Sequence, residues 1–154
     1  KYFSKNIDII SDSAKNSKMK KIKKFNLIKK KKLDYDFVIS FLPEKKKYFN
    51  FFNSNFFKKM KSDSFFINVG RGSAVNEKDL FRSLKKKIIL GAALDVLKDE
   101  PLKNTNPLLN LDNCLITPHI AGLFNKYWSL QENLFMRNLK NFLTNKKLKN
   151  VVNF

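Results

Sequence analysis

At 154 residues the chain has room for one domain with a modest core, which excludes a multi-domain enzyme. Apolar residues make up 43% of it, which excludes wholesale disorder, and Lys, Asp or Asn interrupts every Phe- or Ile-rich stretch short of the ~20 residues that a membrane-spanning helix needs. The net charge of +19 would suit a nucleic-acid binder, yet only Arg71, Arg82 and Arg137 carry the planar fork that recognises phosphates and bases, and the other 29 basic residues are Lys. With 19 Asn, 16 Phe and 11 Ile against 5 Ala and 4 Gly, the excess reads as drift toward AT-rich codons at tolerant surface positions.

Strand and helix signals then alternate along the chain. Ile7 to Ile10 is a short β-branched run closed by Ser11-Asp12-Ser13, and a Lys-rich stretch leads to a second predicted strand at Phe25-Asn26-Leu27-Ile28. Phe37 to Phe41 is a nearly continuous apolar run stopped by Leu42-Pro43, as expected of a strand covered on both faces. From Glu44 to Met60, the residues Tyr48, Phe51, Phe52, Phe56 and Met60 recur at helical spacing and predict one or two helical segments with a core-facing stripe. Phe65 to Val69 is the next strand and runs straight into Gly70-Arg71-Gly72. Asn76 can cap a helix from Glu77 to about Lys86, with Glu77 and Asp79 in its first turn. Ile88 to Leu94 predicts another buried strand, followed by Asp95. Pro101 and Pro107 mark an irregular connection to a short strand at Cys114-Leu115-Ile116. Tyr127, Leu130, Leu134, Phe135, Leu139 and Phe142 outline a long amphipathic helix between Lys126 and Thr144.

This alternation predicts an α/β fold with a parallel sheet, and in such sheets ligands sit at the carboxyl ends of the strands. Asp12, Pro43, Gly70-Arg71-Gly72, Asp95 and His119 all fall there. His119 is the one histidine of the chain, and a lone histidine is more often structural than catalytic. Its weight rises because Arg71 and Glu100 also occupy post-strand loops, where distant segments can meet above one sheet. An imidazole exchanges a proton near neutral pH, a carboxylate such as Glu100 favours its charged form, and an arginine fork presents itself to a substrate carboxylate. The glycines beside Arg71 are expected to let a ligand approach the backbone. Taken singly, Arg71 as a surface ion pair, Glu100 as a solvated acid and Asp95 as a turn residue would be the better readings.

The ordered set Leu42-Pro43, Ile67-Asn68-Val69-Gly70-Arg71-Gly72, Gly91-Ala92-Ala93-Leu94-Asp95-Val96, Asp99-Glu100-Pro101-Leu102 and Thr117-Pro118-His119-Ile120-Ala121-Gly122 resembles the D-isomer-specific 2-hydroxyacid dehydrogenases from Asp34 onward. The resemblance implies a partial Rossmann-type, doubly wound parallel sheet and hydride transfer between NAD or NADP and a small 2-oxo or 2-hydroxy acid resembling glyoxylate or hydroxypyruvate. It implies that Arg71 binds substrate, Glu100 supports His119, and His119 is the acid/base. Leu42, Pro43, Val69, Gly70, Arg71, Asp95, His119 and Gly122 would line the cofactor site, with Asp95 on the nicotinamide side. Asp12 would meet the adenosine ribose, while an alternative register puts Ser13-Ala14-Lys15 there, with Lys15 and Lys18 near an NADP phosphate. It further implies a homodimer of full-length chains; no metal is expected, and the Lys-rich composition and interrupted apolar runs speak against nucleic-acid and membrane partners.

The chain departs from the family pattern in lacking the Gly-rich phosphate loop with its preceding strand, and in carrying Lys87 where the family has a glycine. Residues 1–124 are therefore expected to form a partial dinucleotide-binding domain, and residues 125–154 a helix and tail leading toward a substrate domain. In a sheet ordered 3-2-1-4-5-6 the absent strand is central, so the first two strands should separate from the rest and residues 1–32 should be weakly held. Because the first residue is Lys1, a removed presequence or a missing start is expected. Cys114 as the single cysteine points to a reducing compartment, the cytoplasm. Two competing readings are a dinucleotide fold kept as a non-catalytic interaction or sensing module, and a basic nucleic-acid binder.

Overall fold

The structure, a computed structural model, describes residues 9–11, 22–24 and 32–152. It divides into two compact units, Lys1–His119 and Ile120–Phe154. In the first, β1 (Ile9–Ser11) pairs in parallel with β2 (Ile22–Lys24) as a two-stranded sheet. A separate parallel sheet has the order β3 (Phe37–Ser40), β4 (Phe65–Asn68), β5 (Gly91–Leu94), β6 (Cys114–Ile116). The first two strands thus pair with each other and not with the remaining four, as the absence of a central strand requires. The second strand lies within the Lys-rich stretch, three residues ahead of its expected place, and Phe25–Ile28 fall outside the described residues.

Register fixes which side chains share a face. Val38, Phe66, Ala92 and Cys114 form one cross-sheet row, and Ser40, Asn68, Leu94 and Ile116 form another on the same side. Against this face pack α1 (Ser54–Phe57), α2 (Glu77–Lys85) and the 3-10 turn Pro107–Asn110, which contribute Phe56, Phe57, Leu80, Leu84 and Leu108 to the core. Phe66 is fully buried, with its ring centroid 4.8 Å from Phe52 and 5.3 Å from Phe57. On the opposite face Phe37, Ile39 and Leu115 are 51%, 52% and 65% exposed. The covering expected on both faces of these strands is met on one, because successive right-handed crossovers that step in a single direction place their helices on a single side.

The apolar stripe between Glu44 and Met60 is core as its spacing suggests, with Tyr48, Phe52, Phe56 and Met60 buried, but most of it is not helical. Only the 3-10 turn Lys46–Tyr48 and the single turn of α1 form. Asn50 takes a left-handed φ of 50°, and the Phe52 backbone instead donates to the Ala74 carbonyl and accepts from the Asn76 N–H, which ties this segment to the one after β4. α2 matches its expected span. The Asn76 side chain accepts from the Asp79 N–H at its start. It closes with the Lys87 N–H on the Leu84 carbonyl and the Ile88 N–H on the Ser83 carbonyl, the pair of bonds that ends a helix on a left-handed residue. That residue is Lys87, with φ 53°, which accounts for the glycine preference at this place.

The second unit contains α3 (Tyr127–Leu143), matching the expected helix, and none of its residues is buried. Its tail folds back on it through Asn138, whose side chain bonds both the N–H and the carbonyl of Lys149. No helix among the described residues is long and apolar enough to cross a membrane.

Two stability measurements test this packing. Phe66→Ala removes a fully buried ring from the centre of the core and should cost about 3–5 kcal/mol in chemical denaturation. Lys87→Gly relieves a left-handed backbone and should raise stability by about 1 kcal/mol in the same assay.

Candidate active site

Parallel strands in register bring their carboxyl ends to one rim, and the ladder continues past the strand ends. The Val69 N–H donates to Ser40, Asp95 to Asn68, and Thr117 to Leu94, so the loops after β3, β4, β5 and β6 start side by side. At this rim Glu44, Arg71, Ser73, Lys98, Glu100 and His119 are among the residues lining a cavity of about 360 Å³. The three residues expected to carry the chemistry are thus brought together.

His119 Nδ1 lies 2.8 Å from Glu100 Oε2. The other Glu100 oxygen accepts the Leu97 N–H at 2.9 Å, which fixes the carboxylate plane. Burial opposes the charge on Glu100, but the hydrogen bond from His119, the Leu97 N–H and the charge of the imidazolium together outweigh it and hold the carboxyl below its usual range. His119 has a left-handed φ of 55°, a conformation that a non-glycine residue adopts only when its surroundings impose it. Here the His119 N–H is bonded to the Asp95 carbonyl at 2.9 Å and the Thr117 carbonyl at 3.0 Å. With Nδ1 engaged by Glu100, Nε2 is the ring atom left to exchange a proton.

Arg71 is held differently from the expectation. A Cβ on Gly70 would come within 2.6 Å of the Leu42 carbonyl oxygen, and one on Gly72 within 1.9 Å of the Leu97 carbonyl carbon. The two glycines therefore admit neighbouring protein backbone rather than a ligand, and they clamp the Arg71 turn between the loops after β3 and β5. Asn68, fully buried, braces that turn from inside: its amide donates to the Arg71 carbonyl at 3.1 Å and its oxygen accepts the Gly70 N–H at 3.2 Å. Arg71 Nη1 donates to the Gly70 carbonyl at 2.8 Å.

Asp95, at the end of β5, is only 6% exposed, and its carboxylate accepts from the Thr117 hydroxyl at 2.5 Å. Leu42 and Val69 are half-buried and Pro43 is exposed on the same rim. Gly122 belongs to the second unit, where nothing lies within 4 Å of a Cβ built on it, and Asp12 falls outside the described residues.

Three supporting side chains escape a reading by motif. Asn68 and Thr117 sit inside recognisable stretches with no signal of their own role. Glu77 looks like a helix-start acid, yet its carboxylate accepts the Lys98 N–H at 2.7 Å and the Asn106 amide at 3.1 Å, which anchors the loop that carries Glu100. The Cys114 thiol is pushed up to about 11 by burial and by the charge of Glu77, so it is not a nucleophile at neutral pH. No cluster of His, Cys, Asp and Glu among the described residues could hold a metal ion.

Residues 5–121 match the family described as D-isomer specific 2-hydroxyacid dehydrogenase, NAD binding domain. The chain belongs to that family. It is similar to a glyoxylate reductase/hydroxypyruvate reductase of Homo sapiens, 49% identical over 70 residues that make up 46% of this chain and 21% of that protein. It is also similar to a glyoxylate/hydroxypyruvate reductase B of Shigella dysenteriae, 38% identical over 118 residues, 77% of this chain and 36% of that protein. Among solved structures, an NADPH-dependent glyoxylate/hydroxypyruvate reductase from Sinorhizobium meliloti in complex with NADP and sulfate superposes with a TM-score of 0.78 at 25% identity, covering 94% of this chain and 46% of that one. The chain thus spans less than half the length of these relatives.

As a member of a NAD-binding family, the chain offers a dinucleotide different fits at its two ends. At the rim the buried carboxylate of Asp95 has the chemistry that would accept amide N–H groups such as those of a nicotinamide, and Leu42, Pro43 and Val69 are apolar residues of the same rim. For the pyrophosphate the chain has no Gly-x-Gly-x-x-Gly loop, and Gly70, Gly72 and Gly91 are all filled against by protein atoms.

The lowered carboxyl of Glu100 means that its ionised form contributes stability above the ordinary carboxylate range, lost as pH falls through the lowered value. An NMR titration of Glu100 should give a midpoint below 4.5, and His119→Gln should move it upward.

Proposed function

We propose that this chain forms the nicotinamide-side half of the active site of an oxidoreductase that transfers a hydride between NADH or NADPH and a 2-oxo acid of the glyoxylate or hydroxypyruvate kind, yielding the 2-hydroxy acid. The observation that carries this reading is the 2.8 Å His119–Glu100 pair on the same cavity as Arg71. Three relatives named as reductases of glyoxylate or hydroxypyruvate support the substrate class.

Arg71 holds the substrate carboxylate with its guanidinium, whose orientation is set by the Gly70 carbonyl and by the Asn68 brace. His119, charged and paired with Glu100, donates its Nε2 proton to the carbonyl oxygen as C2 is reduced, and leaves as neutral imidazole. In the reverse direction it takes the hydroxyl proton. Glu100 stabilises the imidazolium and keeps the ring in the tautomer that presents Nε2. Asp95 orients the amide of the nicotinamide, and the bound cofactor supplies the hydride. Leu42, Pro43 and Val69 are the further residues of the first unit that this reading assigns to the cofactor site, with Gly70 contributing by packing rather than by contact. In this reading the working enzyme is a cytoplasmic homodimer whose substrate domain and phosphate loop lie outside these residues; the single cysteine supports a reducing compartment, and the 21% to 46% of its relatives that the chain spans supports the further segments.

In the complete polypeptide, His119→Gln should lower kcat for hydroxypyruvate reduction by about 10²- to 10⁴-fold, followed by the loss of NADPH absorbance, while NADPH binding persists. Unchanged turnover would remove the proposed acid/base, whereas a parent polypeptide that binds NADPH but turns over no hydroxypyruvate would favour the sensing-module reading.

A further inference from the structure

The deepest charged group at the rim is not in the His119–Glu100 pair but beside it. Glu100 and His119 side chains are 37% and 51% exposed, whereas Asp95 is 6% exposed. A carboxylate that far from water needs donors built into the fold. One comes from Thr117: its N–H bonds the Leu94 carbonyl at 2.9 Å, which continues the β5–β6 ladder one step and sets the Thr117 side chain opposite Asp95. Its hydroxyl then donates to Asp95 Oδ1 at 2.5 Å, a short bond of the charge-assisted kind. The β-branched side chain has few rotamers, so the hydroxyl direction is set by the backbone. The same segment returns two residues later, where the His119 N–H bonds the Asp95 carbonyl. Asp95 is thus gripped at its carboxylate by Thr117 and at its carbonyl by the acid/base residue.

We infer that Thr117 is a positioning residue, whose hydroxyl holds the Asp95 carboxylate in the orientation that meets the nicotinamide amide and thereby aligns the cofactor ring with His119. This rests on the reading of Asp95 given above. A purely structural Thr117 would hold the β6 end in place and affect every part of a bound dinucleotide alike. A positioning Thr117 affects the nicotinamide end alone.

The test uses the complete polypeptide and two probes: NADPH, and ADP-ribose, which lacks the nicotinamide ring. Thr117→Val keeps the shape and removes the donor. It should weaken NADPH binding about ten-fold and leave ADP-ribose binding unchanged. Thr117→Ser, which keeps the hydroxyl, should stay within about three-fold of the parent protein for both probes. In an Asp95→Ala background, which leaves no acceptor for the Thr117 hydroxyl or for the amide, Thr117→Val should add nothing, because the two changes remove one interaction. If valine upsets folding, Thr117→Ala makes the same comparison without the branched side chain. Equal losses for NADPH and ADP-ribose, a serine variant as weak as valine, or effects of Thr117→Val and Asp95→Ala that multiply would each overturn the inference while leaving the proposed function standing. Failure of the parent protein to bind NADPH would overturn both.

Discussion

Four strands in parallel register set the terms for everything at the rim. Because each backbone bond between neighbours is repeated past the strand ends, at Val69, Asp95 and Thr117, the loops that follow start at one level and in a fixed lateral order. A slip of one residue in any pair would carry the polar rim residues to the other face and scatter Arg71, Glu100 and His119. The meeting of these three residues therefore depends first on ladder register, and only then on the side chains themselves.

Polar side chains stitch these loops together where backbone bonds end. Asn68 braces the Arg71 turn, Glu77 reaches from α2 to the loop that carries Glu100, and Thr117 ties the segment after β6 to Asp95. Among the described residues no buried side-chain nitrogen or oxygen lacks a partner. That matters because an unpaired buried polar group costs about 1–3 kcal/mol. The strained φ of His119 is sustained by the same bonds, so its backbone conformation and its pairing with Glu100 are products of one network.

The core that supports the rim is one-sided. Phe56, Phe57, Phe66, Leu80 and Leu84 pack beneath the sheet, while Phe37 and Leu115 stand exposed above it. Stability and site geometry thus draw on the same face: Phe66 and Asn68 are alternate residues of β4, the first filling the core and the second holding the Arg71 turn.

Local signals in the chain determined much by themselves. The apolar runs at Phe37, Phe65 and Cys114, the Asn76 cap of α2 and the periodicity of α3 depend on neighbours a few residues apart, and the structure follows them. The ordered recurrence of Arg71, Glu100 and His119 after successive strands was enough to place them on one rim. Tertiary structure alone decided the rest, since it depends on segments far apart in the chain. The stripe from Tyr48 to Met60 gave up its helix because Phe52 found backbone partners at Ala74 and Asn76. Gly70 and Gly72 proved to be packing sites because the backbones of Leu42 and Leu97 close on them. Thr117 acquired its partner only when the β5–β6 ladder set it beside Asp95, a register that no spacing within either strand encodes.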